Sequence, residues 1–147
     1  MNSNKPLTRW RCDRCGEWIE DASKGYVIWG SHGDTKPDFE IIHQGKCDND
    51  AKPRSQPLND FLGSDGLARL TSMLSYGIVR DCEPPGDLHR VHDLDQFVDF
   101  MRRVQLPNYE EARSYLLSAE AKEELSSASE SYPYLQKHLK DAAKSVG

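Results

Sequence analysis

Two kinds of hydrophobic pattern follow one another along this chain. In the N-terminal part, short runs of aromatic and β-branched residues alternate with turn residues, which is typical of β-strands. Tyr26–Trp29 lies between two glycines and is followed by the apolar run Phe39–Ile42, so we expect these two runs to pair. Thr8–Arg11 and Glu17–Glu20 predict two further strands. The pattern therefore predicts a three- or four-stranded antiparallel sheet within residues 1–54.

Helical periodicity replaces this pattern in residues 55–147. The clearest helix begins at Asp93, which forms a predicted capping box with Gln96. Its apolar positions follow at helical spacing: Leu94, Phe97, Val98, Met101 and Val104. A helix is also expected over about residues 66–76, with Leu67 among its buried positions, and two more after residue 107. The predicted fold class is α+β, a sheet followed by a bundle of about four helices.

The two segments meet at a polar stretch, residues 48–57, which contains two prolines. Such a composition favours a linker or an exposed loop. We therefore predict a zinc-ribbon-like β segment over residues 1–54 and a helical segment over residues 55–147 that packs as one compact unit. Residues 120–130 are polar and charged, and we expect them to fray.

Four residues in the β segment have the spacing of metal ligands. Cys12 and Cys15 form a Cys-x2-Cys pair, and His43 and Cys47 form a His-x3-Cys pair. Three thiolates and one imidazole are the donor set of a closed structural zinc site, because such sites use four protein ligands in a tetrahedron. Fewer than 60 residues bury little apolar surface, so a bound Zn²⁺ would supply stability that the small core lacks.

Other interpretations of these residues stay open. His32 is an alternative to His43, although it lies in a predicted hairpin tip with no cysteine near it. The cysteines also permit disulfides or buried thiols. Cys82 stands apart from the two pairs among acidic neighbours, which raise a thiol pKa, and we interpret it as a bystander.

Composition and charge narrow the range of functions. The chain has 147 residues with a net charge of −5, and no apolar stretch is long enough to span a membrane. The first residues are polar, with no apolar run after them, so we expect no secretory signal and a cytoplasmic protein. The acidic excess lies in residues 61–147, which carry ten Lys and Arg against fourteen Asp and Glu.

One basic face contrasts with this overall charge. Arg9, Arg11 and Arg14 surround Trp10 and the cysteine turn. Cations beside an aromatic ring are suited to phosphate contact and base stacking, so nucleic-acid binding through these four residues is an alternative function. The competing interpretation is a solvated face that offsets the acidic helices. The tryptophans at 10, 18 and 29 are expected to form the core of the ribbon.

An enzymatic interpretation has weaker support. His89 and His92, together with Asp81, Glu83 and Asp87, would be the candidates for a catalytic metal site. However, the chain has no phosphate-binding glycine loop, no nucleophile elbow and no HExxH motif.

Several segments together resemble small, uncharacterised bacterial proteins with an N-terminal zinc-ribbon-like segment and a helical tail. The segments are Trp10–Gly16, Ile42–His43, Cys47–Asp48, Phe61–Leu67 and Leu106–Arg113. The resemblance implies metal ligands at the four positions above and implies no activity. With no catalytic constellation in the sequence, we predict a zinc-stabilised interaction module, a protein-binding adaptor or regulator. Its partner and oligomeric state are not specified by the sequence.

Overall fold

The computed structural model describes residues 7–30, 38–48, 54–75, 77–79 and 91–146. Five strands occur in this part of the chain: β1 (Trp10–Arg11), β2 (Trp18–Ile19), β3 (Gly25–Trp29), β4 (Glu40–His43) and β5 (Arg54–Pro57). Five α-helices follow them: α1 (Gly63–Leu74), α2 (Leu94–Gln105), α3 (Tyr109–Leu116), α4 (Ala119–Glu124) and α5 (Gln136–Val146). Antiparallel strands followed by helices confirm the predicted α+β class.

The strands form two sheets rather than the single sheet predicted. In the described residues β1 and β2 pair only with each other, with Trp10 opposite Ile19. The three-stranded sheet has the order β4-β3-β5, and its β3–β4 pairing confirms the predicted hairpin partners. The cysteine turn explains the separation, because the chain that leaves β1 turns directly back along β2.

The prediction of a loop over residues 48–57 is wrong for its last four residues. Arg54–Pro57 forms β5 and pairs antiparallel with β3, placing Gln56 opposite Val27. Strand β3 is buried along most of its length, so its backbone groups on both sides need hydrogen-bond partners. The polar strand β5 can supply these hydrogen-bond partners even though it ends in a proline, because it lies at the edge of the sheet and its own second edge faces solvent.

One hydrophobic core joins the sheet to the first two helices. Trp10, Ile28, Leu70 and Phe97 are all fully buried within it. Three aromatic rings tie its halves together, since Phe39 stacks on both Trp29 and Phe100 at centroid distances of 5.3 and 4.9 Å. A second, smaller cluster holds α3 against α5 through Tyr109, Ala112, Leu139 and Ala142. The β segment therefore packs directly on the helices.

Several helical details differ from the predictions. Helix α1 begins at Gly63 rather than near residue 66, and Leu67 is 45% exposed because it faces solvent. Helix α4 forms within the stretch expected to fray, since the Ser118 side chain caps it by accepting from the amide of Ala121.

The capping box at α2 is half confirmed. The side chain of Asp93 accepts a hydrogen bond from the Gln96 amide at 3.2 Å. The Gln96 side chain, however, accepts from the amide of Asp38, just before β4. A residue expected to close its own helix end thus connects that helix to the sheet.

Candidate metal centre

The cysteine turn, Cys12–Gly16, connects β1 to β2 and presents the first two sulfurs. The amide of Gly16 donates to the carbonyl of Cys12 at 2.9 Å, and Gly16 has the positive φ of +81° that glycine adopts without strain. Inside the turn, the amides of Arg14 and Cys15 point at the Cys12 sulfur at 3.4 and 3.5 Å. These donors favour a thiolate at Cys12.

The second pair comes from the end of β4 and the turn after it. His43 is the last residue of β4, and the Cys47 amide donates back to the His43 carbonyl at 3.3 Å. The His43 Nε2 lies 3.3 Å from the carbonyl oxygen of Trp18 in the neighbouring hairpin. A carbonyl at this position holds the proton on Nε2 and leaves Nδ1 available as a ligand atom.

The fold brings all four predicted ligands together. One ligand atom from each of Cys12, Cys15, His43 and Cys47 lies within 4.8 Å of all the others. The His43 Nδ1 is 3.4 Å from the Cys15 sulfur and 3.8 Å from the Cys47 sulfur. None of the three cysteines forms a disulfide. The cluster can therefore hold a metal ion, and His32, the alternative ligand, lies outside the described residues.

The thiols of the cluster differ in acidity. Burial by itself raises the pKa of Cys12, but the amides of Cys15 and Arg14 donate to its sulfur and lower that pKa to about 6. Loss of hydration and the neighbouring thiols raise the pKa of Cys47 to about 11. A cation placed among these sulfurs would favour the thiolate at every position, so metal binding is expected to release protons.

A buried ion network fixes the cysteine turn to the helices. It consists of Arg103 on α2, Glu110 on α3 and Asp13 inside the turn. Arg103 is 3% exposed and donates to both carboxylate oxygens of Glu110 at 2.8 and 2.7 Å and to Asp13 at 2.7 Å. Its pKa is raised, because the two carboxylates outweigh the cost of burying the cation.

The same network also binds the backbone of β1. Arg103 donates to the carbonyl of Arg11 at 2.9 Å, and the amide of Arg11 donates to Glu110 at 2.8 Å. Trp10 adds a third link, since its indole N–H donates to the carbonyl of Arg103 at 3.0 Å. Asp13 in turn accepts from the amide of Ile41 on β4 at 2.8 Å. The candidate metal site is thus positioned by the helices as well as by the two turns that carry its ligands.

Sequence reasoning missed this network. A cation in the last turn of α2 and a carboxylate in the first turn of α3 are both explained by the helix dipole alone, so neither Arg103 nor Glu110 signals a buried pair. The seven-residue separation of Arg103 and Glu110 spans a helix break, so it matches no periodic signal. Asp13 lies 90 residues from its partner, and nothing local in the sequence announces that contact.

The basic face is rearranged relative to the prediction. Trp10 is fully buried and cannot stack on a base, so that part of the nucleic-acid prediction is wrong. Trp18, expected in the core, is only half-buried, and the guanidinium groups of Arg9 and Arg11 lie 3.9 and 4.1 Å from its ring centre. Arg14 instead pairs with Glu40 at 2.9 Å.

A cleft of about 650 Å³ opens beside this face, between the β1–β2 hairpin, α3 and α5. Its lining includes Arg9, Arg11 and Trp18 from the hairpin, with Lys140 and Lys144 from α5. The cleft is separate from the four metal ligands, and none of them lines it.

Most residues of the enzymatic alternative lie outside the described part of the chain, so that alternative stays a prediction. His92 is exposed just before α2. Asp81, Glu83, Asp87 and His89, like the bystander Cys82, lie outside the described residues.

Comparison with protein-family models, with curated proteins and with solved structures finds no match to this chain. The resemblance to small bacterial zinc-ribbon proteins therefore stays a prediction. Among the described residues, no helix combines the length and apolar character needed to cross a membrane.

Proposed function

We propose that this protein is a zinc-stabilised interaction module whose metal site is structural and whose work is to bind another protein. The observation that carries the proposal is the convergence of three thiols and one imidazole on a single point. Thiolate-rich donor sets favour zinc over magnesium or calcium, which prefer oxygen ligands.

Distances within the cluster suit a tetrahedral zinc ion. Bonds of about 2.3 Å to sulfur and about 2.05 Å to nitrogen, at tetrahedral angles, separate sulfur from nitrogen by about 3.6 Å. The two measured separations from His43 Nδ1 are 3.4 and 3.8 Å. Two sulfurs bound to one zinc ion lie about 3.8 Å apart. The four ligand atoms all lie within 4.8 Å of one another, so the sulfurs would need to move together by about 1 Å at most to bind zinc.

A structural role follows from the ligand count. Four protein ligands complete the tetrahedron and leave no position for a substrate or a water nucleophile. The surrounding contacts agree, because Arg103 binds both β1 and Asp13 of the cysteine turn and so holds them against the helices. We place the protein in the cytoplasm, a reducing compartment in which its thiols stay available for the metal.

Protein binding is supported by the surface that the metal site organises. The cleft beside the β1–β2 hairpin joins three elements, and it combines charged side chains with the apolar Leu117 and Ala143. Concave surfaces that combine apolar area with a few polar groups are typical of binding sites. Base stacking has less support, because Trp10 is buried and the ring of Trp18 is covered by two arginines.

Two measurements test this function. Metal analysis of the purified protein is expected to give one zinc per chain, and Cys12→Ser or Cys47→Ser is expected to remove it, with Ser72→Ala as a folded control. Affinity purification from the native host is expected to recover a stoichiometric protein partner with the wild type and to lose it with Cys12→Ser. Full zinc content in both cysteine variants would contradict the metal assignment, and recovery of nucleic acid alone would contradict the partner class.

A further inference from the structure

The cleft between the β1–β2 hairpin, α3 and α5 has a charge opposite to that of the whole chain. Five cationic side chains line it, against the two carboxylates of Glu110 and Glu111, whereas the chain carries −5. The cations are Arg9, Arg11, Arg113, Lys140 and Lys144. Glu110 already binds Arg103 through both oxygens and Arg113 binds Asp99, so these two charges are compensated from inside the protein and four cations remain against Glu111. The cleft is therefore a local site of positive potential on an acidic molecule.

Two of these cations are held in place before any ligand arrives. The guanidinium groups of Arg9 and Arg11 lie within 4.1 Å of the Trp18 ring centre. Contact with the Trp18 ring restricts the position of a guanidinium group. Its N–H donors lie in the guanidinium plane and point away from the ring, so they remain available to a ligand. Arg11 uses one donor on the carbonyl of Gly16, and the closest approach of Arg9 to Glu111 is a long 3.9 Å. Both arginines thus retain donors for an anion.

The opposite wall of the cleft carries a second pair of cations. Lys140 and Lys144 are both exposed and four residues apart on α5, so they lie on one face of that helix. In the described part of the chain, neither lysine takes part in an ion pair. Ala143 lies between them in sequence, and Leu117, which is 58% exposed, adds apolar surface.

We infer that this cleft binds an acidic segment of a partner protein, a use of the molecule that rests on the proposed protein-binding function. Carboxylates of the segment contact the Arg9–Arg11 pair on one wall and the Lys140–Lys144 pair on the other. An apolar side chain of the segment covers Leu117 and Ala143. Arginine forks are suited to carboxylates because they donate two parallel hydrogen bonds.

The surroundings favour a short acidic segment over a nucleic acid. A nucleic-acid strand is a continuous polyanion, and it would meet Glu111 in the cleft and the acidic helix α4, which begins two residues after Leu117. The rings that could stack on bases are also occupied, since Trp10 is buried and Trp18 carries the two guanidinium groups. A peptide places its charges only where the cleft needs them.

The test is a selection from a random peptide display library against the full-length zinc-bound protein. We expect the selected peptides to be rich in Asp and Glu with at least one large apolar residue. Their binding, measured by fluorescence anisotropy, should weaken about tenfold in Lys140→Gln/Lys144→Gln and should weaken further with added salt. The matched control is Lys122→Gln/Lys137→Gln, which removes the same charge from exposed positions outside the cleft and should leave binding unchanged.

Each other outcome decides against the inference in its own way. Selected peptides without acidic enrichment, or equal weakening in both double variants, would exclude the cleft as an acidic-peptide site. Preferential binding of a labelled oligothymidylate or a DNA duplex, lost in Lys140→Gln/Lys144→Gln, would reassign the ligand class. If Lys140→Gln/Lys144→Gln leaves peptide binding unchanged while the wild type still copurifies with a host partner, the proposed function stands and only the cleft is wrong; a wild type that carries no zinc and recovers no partner would instead remove the proposed function itself.

Discussion

Arg103 shows how much one side chain can contribute to the position of the metal cluster. Its guanidinium group donates to Glu110, to Asp13 and to the carbonyl of Arg11. These three acceptors belong to α3, the cysteine turn and β1, so a single buried cation joins the helices to the turn that carries Cys12 and Cys15. Its value to the fold depends on all three acceptors being present.

Arg103→Met is expected to lower the free energy of unfolding by about 3–5 kcal/mol, because it leaves two carboxylates without their buried cation. Chemical denaturation measures this change. The control is Arg69→Met at an exposed position on α1, which should cost less than about 1 kcal/mol. Adding Glu110→Leu to Arg103→Met should recover part of the loss. A single variant as stable as the wild type would show that the network orders the turn without stabilising the fold.

Asp99 supplies a pH-dependent contribution to stability. Burial raises the pKa of its carboxyl group, but hydrogen bonds from Arg113 and Tyr109 outweigh burial and bring that pKa below the ordinary value of 3.8. A lowered native pKa stabilises the fold at pH values above 3.8, and this stability disappears as the pH falls through the native pKa.

Asp99→Asn is therefore expected to be less stable than the wild type at neutral pH and to lose less stability on acidification. Melting temperatures recorded from neutral to strongly acidic pH measure the difference. Asp95→Asn, at an exposed position of the same helix, is the matched control and should follow the wild-type curve. Parallel curves for Asp99→Asn and the wild type would argue against the Asp99–Arg113 pair as the source.

Helix α1 illustrates how an element is positioned by one close approach. Gly66, in the first turn of α1, is buried. A Cβ atom at this position would lie only 2.1 Å from the backbone carbonyl carbon of Phe61. The short helical turn Leu58–Phe61 can fold back against α1 only because this side chain is missing. The same contact places Phe61 in the aromatic core.

Gly66→Ala is expected to lower stability by about 1–3 kcal/mol, although alanine gains about 1 kcal/mol in helix propensity over glycine. The clash involves backbone, which cannot move aside as a flexible side chain would. Thermal unfolding measures the effect, with Ser72→Ala on the same helix as the control. A stabilised Gly66→Ala variant would mean that the Leu58–Phe61 turn shifts freely.

The β1–β2 hairpin depends on the rest of the molecule more than the other elements do. Each of its strands has two residues, too few to persist by their own hydrogen bonds. Two of the four candidate metal ligands, Cys12 and Cys15, lie at its tip, and the buried ion network holds β1. We therefore expect two levels of stability, one for the hairpin and one for the core around β3 and α2.

On the proposed function, removal of zinc by a chelator should separate these two levels. Hydrogen exchange is expected to speed up at the amides of Cys12 and Ile19, while Val27 and Ile28 in the buried strand β3 keep most of their protection. A zinc-saturated chelator is the control and should change nothing. Uniform loss of protection along the whole chain would show instead that the metal and the main core unfold together.

The sequence anticipated the features that depend on short spacing. The two ligand pairs identified the candidate metal site, because Cys-x2-Cys and His-x3-Cys spacings constrain where the ligand atoms can lie. The helical periodicity after Asp93 located α2. The pairing of β3 with β4 followed from two neighbouring apolar runs. It did not anticipate β5, since Arg54–Pro57 has no strand pattern and pairs only because β3 needs a partner on its second edge.

Contacts between distant polar residues were decided by the tertiary structure alone. Arg103 and Asp13, 90 residues apart, pair because packing of the core places α2 beside the cysteine turn, and buried charges require partners wherever they meet. The difference between Trp10, which is in the core as predicted, and Trp18, which is not, has the same origin. Two tryptophans eight residues apart look alike in a sequence, but strand pairing turns Trp10 into the core and leaves Trp18 against two arginines in the lining of the cleft.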